Sequence, residues 1–315
     1  MSTEKVIDFM SKRLIAAVLS GVLLLVSVGS LFMNGLNLGL DFTGGTIVEL
    51  HYDEAPNLEE VRQTLVGGGY SNAIVQNFGS ETEIMVRLQT DNSTLKGEEG
   101  RVKNIGEEVA NLLQDNSSTS IELKRSEIIG AQIGDELAND GGLGMLMALA
   151  VVFIYVTLRF QFKFSVGAVV ALVHDVFIVL GVFALFQLEF DLTVLAAVLA
   201  VIGYSLNDTI VVADRIRENF RIIRDETSER IVNISLTQTL GRTLMTSGTT
   251  LLVLMALFLL GGELIHNFSL ALLIGVGVGT YSSIYVAATV LLTMNISKED
   301  LMQPVKEGAE FEEQP

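Results

Sequence analysis

The sequence predicts an α-helical polytopic membrane protein with six transmembrane helices and a small α+β domain between the first and second helices. Of the 315 residues, 50% are hydrophobic, and the mean hydropathy is +0.49. The apolar residues form runs of about 20, the length at which an α-helix crosses the hydrocarbon core of a bilayer. Lys and Arg are concentrated in alternate connections between these runs. Together these observations indicate a membrane protein with a defined orientation.

The first apolar run extends from Leu14 to Met33 and follows Lys12 and Arg13. This start is similar to a secretory signal peptide, but a cleavable signal has an apolar core of only about 7–15 residues. The run is longer than that, and no clear small-x-small cleavage site follows it. We therefore predict an uncleaved signal anchor that forms transmembrane helix 1.

Five further spans follow within residues 142–294. Their predicted ranges are about 142–158, 165–186, 191–213, 243–262 and 269–294. The last range is long enough for a helix that tilts in the bilayer or extends beyond it.

Basic residues in the short connections predict the orientation, because Lys and Arg are retained on the cytoplasmic side. They occur before the first span, after the second, after the fourth and after the sixth: Lys5, Lys12, Arg13, Arg159, Lys163, Arg215, Arg217, Arg221, Arg224, Arg230, Arg242, Lys298 and Lys306. The connections 187–190 and 263–268 contain none. We therefore predict a cytoplasmic N-terminus (1–13), a cytoplasmic C-terminus and an external segment (34–141).

The external segment alternates between strand and helix patterns. The predicted elements are strand Thr46–Tyr52, helix Leu58–Val66, strands Ala73–Phe78 and Glu83–Leu88, a helix over about 98–114 and a strand over about 119–123. The alternation of side chains indicates the strands, and the spacing of apolar residues indicates the helices. The order βαββαβ predicts a ferredoxin-like sandwich.

Composition excludes several function classes. A net charge of −17 argues against nucleic-acid binding, and the absence of cysteine excludes disulfides and thiolate chemistry. With three histidines a histidine-rich metal site is not expected. We find no HExxH motif, Walker loop or nucleophile elbow, so we expect neither an enzyme nor a resident cofactor. The tail 295–315 is polar and acidic, and we expect it to be disordered.

Asp208 is the first candidate for function, since an ionisable group inside a membrane usually faces protein or water. It lies in the fourth span, on a helical stripe with Tyr204 and Ser205, and Asn207 is beside it. Asp208 is either part of an ion relay or half of a structural ion pair.

Arg242 is the second candidate and begins the fifth span. Thr246, Thr249 and Thr250 follow it on one helical face. Because consecutive spans are antiparallel, an inward-pointing Arg242 would approach the depth of Asp208 and tune its pKa. The alternative is that Arg242 is an interfacial anchor whose charged end reaches the membrane surface.

His174 and Asp175 lie at the middle of the third span. Adjacent residues are about 100° apart on a helix, so the two side chains need not act together. A role in an ion relay and a role as a hydrogen-bonded packing pair both remain open. The pair alone has too few ligands for a metal site.

Small residues recur at every fourth position of the sixth span. They are Gly275, Gly279, Ser283 and Ala287. Such a stripe favours close contact between transmembrane helices. We therefore interpret it as a helix-packing surface and not as a gate. Gly-x-Gly-x-Gly at 275–279 is inside a span and therefore cannot hold a dinucleotide.

Three motifs carry a family resemblance. Gly39-Leu-Asp-Phe-Thr-Gly-Gly-Thr46 follows the first span, residues 203–219 (GYSLNDTIVVADRIREN) end the fourth, and residues 238–250 (QTLGRTLMTSGTT) begin the fifth. In this order they closely resemble the SecF branch of the SecD/SecF family, protein-export subunits of the resistance-nodulation-division superfamily. The resemblance covers nearly the whole chain.

The resemblance implies a function in protein export. Such a subunit pairs with SecD into a twelve-helix unit in the bacterial inner membrane. The unit associates with the SecYEG channel, often with YajC and YidC, and uses a proton or sodium gradient to pull unfolded preprotein through at the periplasmic face. The Asn-Asp-Thr and Arg-Thr-Leu motifs of the family carry ion conduction, which assigns that role to Asp208 and Arg242, with Asn207, Asp175 and Thr246 as secondary candidates. The motif after helix 1 contributes Gly39, Asp41, Gly44 and Gly45.

Three other functions are weighed against this one. A small-molecule exporter of the same superfamily usually has twelve spans and much larger external domains in one chain. An intramembrane aspartyl protease would use Asp175 and Asp208, but neither lies in a Gly-x-Gly-Asp signature. A non-conducting assembly or scaffold subunit remains open on sequence alone.

Overall fold

The computed structural model describes residues 6–71, 73–78, 80–88, 104–129, 131–223, 225–297 and 300. Within these residues, six helical segments are long and apolar enough to cross a membrane: Met10–Asn34, Glu136–Arg159, Phe162–Phe186, Leu192–Ile222, Ser228–Leu260 and His266–Thr293. The number and order of these segments agree with the six predicted spans.

The helices and strands are numbered here in chain order. They are α1 (Arg13–Asn34), β1 (Asn37–Leu38), α2 (Leu40–Thr43), β2 (Gly45–Tyr52), α3 (Leu58–Gly67), β3 (Ile74–Phe78), β4 (Ser80–Leu88), α4 (Asn104–Asp115), β5 (Ile121–Ile129), α5 (Ala131–Arg159), α6 (Phe162–Phe186), β6 (Glu189–Phe190), α7 (Leu192–Ile222), α8 (Ser228–Leu260), α9 (His266–Ile284) and α10 (Val286–Thr293).

Several helices continue beyond the predicted ends of the spans. Helix α5 begins at Ala131 rather than near 142, α7 ends at Ile222 rather than near 213, and α8 begins at Ser228 rather than near 243. The predicted ends followed the apolar runs, whereas a helix can continue out of the membrane as an amphipathic segment.

The extensions of α7 and α8 pack against each other. Ile216, Phe220, Ile231 and Leu236 are buried in one cluster there. The buried Asn219 also donates from Nδ2 to Ser235 Oγ at 2.8 Å and to Gln238 Oε1 at 2.9 Å. These contacts hold the two helices together outside the apolar spans.

The membrane domain is centred on α6, α7 and α9, whose facing sides are buried. By contrast, few residues are buried in the most apolar stretches of α5 and α8, where Leu146, Ile154, Leu252 and Leu260 are exposed. In a membrane these faces contact lipid or another protein. The sixth span divides into α9 and α10 at Tyr285, whose N–H still donates to Tyr281 O at 3.0 Å.

The domain between α1 and α5, called the external domain after its predicted location, has the element order β2-α3-β3-β4-α4-β5 among the described residues. The four described strands form an antiparallel sheet in the order β3-β4-β2-β5. Val48, Leu50 and Val86 of the sheet are buried in one cluster with Leu65 of α3 and Val109 of α4. Thus α3 and α4 cover the buried face of the sheet.

The last strand of this domain differs most from the prediction. Strand β5 extends from Ile121 to Ile129, beyond the predicted end near 123, and it pairs with β2 over its whole length. Exposed charged residues such as Lys124 and Arg125 interrupt its apolar pattern and obscured it in the sequence. Residues 98–103 of the predicted second helix lie outside the described residues, as does most of the predicted disordered tail.

Candidate functional site

Asp208 faces the interface between α7 and α8. Its side chain is 5% exposed. Thr243 of α8 donates its hydroxyl to Oδ1 at 3.3 Å. The buried Oδ2 has no hydrogen-bond partner among the described residues. One carboxylate oxygen is therefore held by a neighbouring helix, and the other is available to a proton or a cation.

Arg242 precedes the Thr243 that contacts Asp208, but its own side chain is exposed. Among the described residues no carboxylate lies within 4.0 Å of the guanidinium, so no ion pair with Asp208 forms. Arg242 lines a cleft of about 380 Å³ together with Asp214 and Gln238. The Arg242 side chain therefore lies on the surface of this chain, one residue away from Thr243, which contacts Asp208.

The secondary candidates on the same two helices are exposed. Asn207 is exposed on α7, next to the buried Asp208. Thr246 is exposed on α8, and its hydroxyl donates to Arg242 O at 3.1 Å within the same helix. Both residues therefore lie on the surface of this chain and not in its interior.

Asp175 is the centre of a second polar cluster, between α6, α7 and α9. It is fully buried, and its Oδ2 accepts hydrogen bonds from Ser205 Oγ at 2.6 Å and from Ser282 Oγ at 2.7 Å. Its Oδ1 lies 2.9 Å from Nδ1 of His174. The adjacent His174 and Asp175 thus form a contact that helical spacing alone did not require.

This cluster includes Ser205, a member of the polar stripe predicted around Asp208. Its hydroxyl binds Asp175 and not Asp208. The role of Ser282 as a partner of Asp175 was missed. Its position next to Ser283 of the small-residue stripe is the only sequence signal that could have suggested it. His174 Nε2 is buried without a partner among the described residues.

The small residues of α9 lie where that helix crosses α7. A Cβ atom on Gly275 would come within 2.1 Å of Val201 Cγ2, and one on Gly279 would lie 3.0 Å from Ser205 Cβ and 3.5 Å from Asp175 Oδ2. Ser283 is buried and donates to Thr280 O at 3.0 Å. The glycines therefore permit the close contact that brings Ser205 and Ser282 to Asp175.

The motif after the first span joins the external domain to the membrane helices. Gly39 N donates to Phe190 O at 2.9 Å, and β1 pairs in parallel with β6. Asp41 Oδ2 accepts a hydrogen bond from Leu192 N, the first residue of α7, at 3.1 Å. A Cβ on Gly45, which has φ of 155°, would approach Leu88 O to 2.4 Å, and Gly44 has φ of 73°. A side chain at Gly45 would therefore force β2 away from β4.

A charged contact strengthens this junction. Arg87 Nη1 of β4 lies 2.9 Å from Glu189 Oε1 of β6, and both side chains are less than one-fifth exposed. Burial raises the pKa of Glu189 above its ordinary value, Arg87 lowers it in part, and Asp191 and Asp41 raise it further. Because burial outweighs the ion pair, Glu189 is a carboxylate that binds a proton more readily than an exposed one.

Taken together, these features define a multi-pass membrane protein that holds buried carboxylates between its helices and an external domain joined to their ends. Two family models match the chain: "Protein export membrane protein SecD/SecF, C-terminal" over residues 108–297 and "SecD/SecF GG Motif" over residues 29–56. The chain belongs to the SecD/SecF family of protein export membrane proteins.

Within the family, the chain is similar to SecF subunits along its whole length. It is 49% identical to the protein translocase subunit SecF of Vibrio alginolyticus, over 100% of this chain and 99% of the relative. It is also 49% identical to the same subunit of Pseudomonas aeruginosa, over 95% of this chain and 94% of the relative. These relatives and the six spans define a SecF-type subunit of the protein translocase in the bacterial inner membrane.

Solved structures of SecDF, described as a translocon-associated membrane protein, have the same fold. The crystal structure from Thermus thermophilus matches with a TM-score of 0.78 and 35% identity, over 94% of this chain and 39% of that chain. A super-membrane-facing form of SecDF matches with a TM-score of 0.72 and 34% identity, over 93% and 39% of the two chains. The chain therefore corresponds to only part of the longer SecDF chain.

Proposed function

We propose that this subunit, together with SecD, uses a proton or sodium gradient to drive late preprotein translocation through SecYEG. The observation that carries the proposal is the buried Asp208, with one oxygen held by Thr243 and the other without a partner among the described residues. Inserting a carboxylate into the centre of a membrane helix costs about 2.5–3.5 kcal/mol. The Asp208 carboxylate is retained in the membrane despite this free-energy cost, and one of its oxygens has no described hydrogen-bond partner. It is therefore well suited to bind and release an ion.

The exposed polar residues of α8 support a conduction path at the interface with SecD. Arg242, Thr246 and Thr249 are exposed, although they lie in or at the end of an apolar span. The hydroxyls of Thr246 and Thr249 donate to carbonyls of their own helix, but the guanidinium of Arg242 has no carboxylate within 4.0 Å among the described residues. An unpaired charge is costly in contact with lipid. We therefore propose that the SecD helices cover this face, and that ions pass between the two subunits from this row to Asp208.

The available energy is sufficient for such a motor. Moving one elementary charge across 100 mV releases about 2.3 kcal/mol. A difference of about 1.4 kcal/mol already changes a two-state equilibrium tenfold. One ion per step can therefore bias the external domain between two positions if the coupling is efficient.

The proposed topology has both termini in the cytoplasm and the external domain in the periplasm, as the distribution of Lys and Arg indicates. The external domain is proposed to be a ferredoxin-like sandwich, since its strand order is the one expected for a βαββαβ chain. In this position it can contact unfolded preprotein, and YajC and YidC are proposed as further partners. We propose no enzymatic reaction and no cofactor besides the transported H⁺ or Na⁺.

The test is preprotein translocation into vesicles that contain this chain, SecD and SecYEG. A proton gradient and a sodium gradient are imposed separately on wild type, on Asp208→Asn and on Asp225→Asn. The last variant is a matched control, because Asp225 is an exposed carboxylate in the loop between α7 and α8. We expect one gradient to stimulate translocation in wild type and in the control, and not in Asp208→Asn.

Each alternative has its own outcome. Equal translocation with and without a gradient, unchanged by Asp208→Asn, would favour a non-conducting scaffold subunit. Loss of Asp208→Asn from the membrane would make Asp208 a structural residue.

A further inference from the structure

A cleft of about 600 Å³ lies between α1, α6, α9 and α10. Aliphatic residues such as Leu24, Val170 and Val290 form its walls. The polar groups there largely bind each other: Ser20 Oγ lies 3.0 Å from Tyr281 Oη, and that hydroxyl donates to Ala16 O at 2.8 Å. The interior of the cleft is therefore suited to a hydrocarbon chain.

The cleft continues towards the N-terminal end of α1. A smaller cleft of about 280 Å³ adjoins it and shares Ala17 and Thr289 with it. Arg13 lines the smaller cleft, where its Nη1 lies 3.3 Å from Glu229 Oε2. Because both side chains of this pair are nearly half exposed, the guanidinium can also contact an anion from the membrane surface.

Thr289 lies where the two clefts meet. Its Oγ1 is buried and has no hydrogen-bond partner among the described residues. Ala17, which lines both clefts beside it, is four residues from Arg13, or about 6 Å deeper along α1. In a phospholipid, an ester carbonyl lies at a similar depth below the phosphate, where it would accept a hydrogen bond from this hydroxyl.

The dimensions also fit one leaflet. From Arg13 to Val28, the deepest residue of α1 that lines the cleft, the helix rises by roughly 22 Å at 1.5 Å per residue. Half of a bilayer, headgroup region included, is about 20–22 Å thick. The combined cleft therefore extends from the membrane surface to near the middle of the bilayer.

We propose that this cleft binds one anionic phospholipid, with its phosphate at Arg13, an ester carbonyl at Thr289 and one acyl chain in the apolar part. In the topology proposed above, the lipid belongs to the cytoplasmic leaflet. The acyl chain of the bound lipid covers the side of the cleft at which His174, the neighbour of Asp175, is located. It thereby keeps water away from the buried polar cluster.

The test uses the full-length chain in vesicles of phosphatidylcholine with a small fraction of phosphatidylglycerol that carries a photoreactive group in the middle of one acyl chain. The labelled peptides are identified by mass spectrometry. Gly21→Leu fills the cleft, because Gly21 lines it and a Cβ there meets no atom within 4 Å. Gly29→Leu is the matched control, since Gly29 is also on α1 with open space around it but does not line the cleft.

We expect label on α1 and α10 in wild type and in Gly29→Leu, and at least a fivefold decrease in Gly21→Leu. Arg13→Gln and Thr289→Val are expected to weaken labelling by phosphatidylglycerol, whereas Arg13→Lys retains it. A photoreactive phosphatidylcholine is expected to label these helices less.

Three results would overturn the proposal. Equal labelling of Gly21→Leu and Gly29→Leu would indicate bulk lipid only. Equal labelling by the two lipids would remove the role of Arg13 in recognition. Loss of labelling when SecD is present in the vesicles would mean that a helix of the partner, and not lipid, fills the cleft.

Discussion

Arg87 of β4 and Glu189 of β6 form an ion pair that links the sheet of the external domain to the connection between α6 and α7, with 2.9 Å between Nη1 and Oε1. The same connection pairs with β1 and lies beside Asp41 of the motif after the first span. A movement that separates the sheet of the external domain from this connection must therefore stretch or break the ion pair.

The raised pKa of Glu189 predicts a pH dependence of stability. The folded protein binds the proton of Glu189 more tightly than the unfolded chain, whose ordinary value is 4.5. This contribution to stability is therefore present below that value and is lost as pH rises through the folded pKa. We expect Glu189→Gln to lack this component, and Arg87→Gln to enlarge it, because Arg87 opposes the rise.

The measurement is the midpoint of thermal unfolding of the full chain in detergent, followed by circular dichroism between pH 7 and pH 4.5. Glu54→Gln, which changes an exposed carboxylate of the same domain, is the control. Identical pH profiles for wild type and Glu189→Gln would contradict the prediction.

Ser282→Ala is predicted to destabilise the membrane domain. The substitution removes one of the two hydroxyl donors to Oδ2 of the fully buried Asp175, and a loss of this kind costs about 1–3 kcal/mol. Ser283→Ala is the matched control, because Ser283 is equally buried but donates only within its own helix. Reversible unfolding in dodecyl sulfate would measure the difference, and equal effects of the two variants would argue against a network centred on Asp175.

The two buried carboxylates are predicted to differ in their contribution to folding. Asp208→Asn keeps the oxygen that Thr243 contacts, and the other oxygen has no described partner to lose, so we expect the smaller change, about 1 kcal/mol or less. Asp175→Ala leaves His174 and Ser205 without this partner, at about 1–3 kcal/mol for each unpaired group, whereas Ser282 keeps its hydrogen bond to Gly279 O. The same unfolding assay distinguishes them, and a larger loss for Asp208→Asn would reverse the assignment of roles.

Gly275→Ala is predicted to separate α9 from α7. The added methyl group would lie 2.1 Å from Val201 Cγ2, and overpacking of this kind typically costs about 1–3 kcal/mol. Gly277→Ala adds the same methyl group to the same helix where no atom lies within 4 Å. We expect a lower unfolding midpoint for Gly275→Ala and an unchanged midpoint for Gly277→Ala. An unchanged midpoint would mean that the two helices can move apart without loss of stability.

The sequence alone determined the features that follow from amino-acid composition and from the spacing of apolar residues along the chain. A span must be apolar over about 20 residues, so six spans could be counted, and the βαββαβ order followed from turns and side-chain alternation. Asp208 and Asp175 were recognised because a charge is costly in a membrane. The ends of α5, α7 and α8 were not determined, because a helix can leave the membrane without a change in backbone conformation.

Only the tertiary structure decided which polar groups meet. Helical spacing placed Ser205 beside Asp208, but the crossing of α7 and α9 at Gly279 brings Ser205 to Asp175. The sequence left open whether Arg242 points towards Asp208 or towards the membrane surface, and in the structure its side chain is exposed and forms no ion pair with Asp208. The physical reason is that a hydrogen bond depends on distances of about 3 Å between different helices, and these are set by packing over the whole bundle and not by periodicity within one helix.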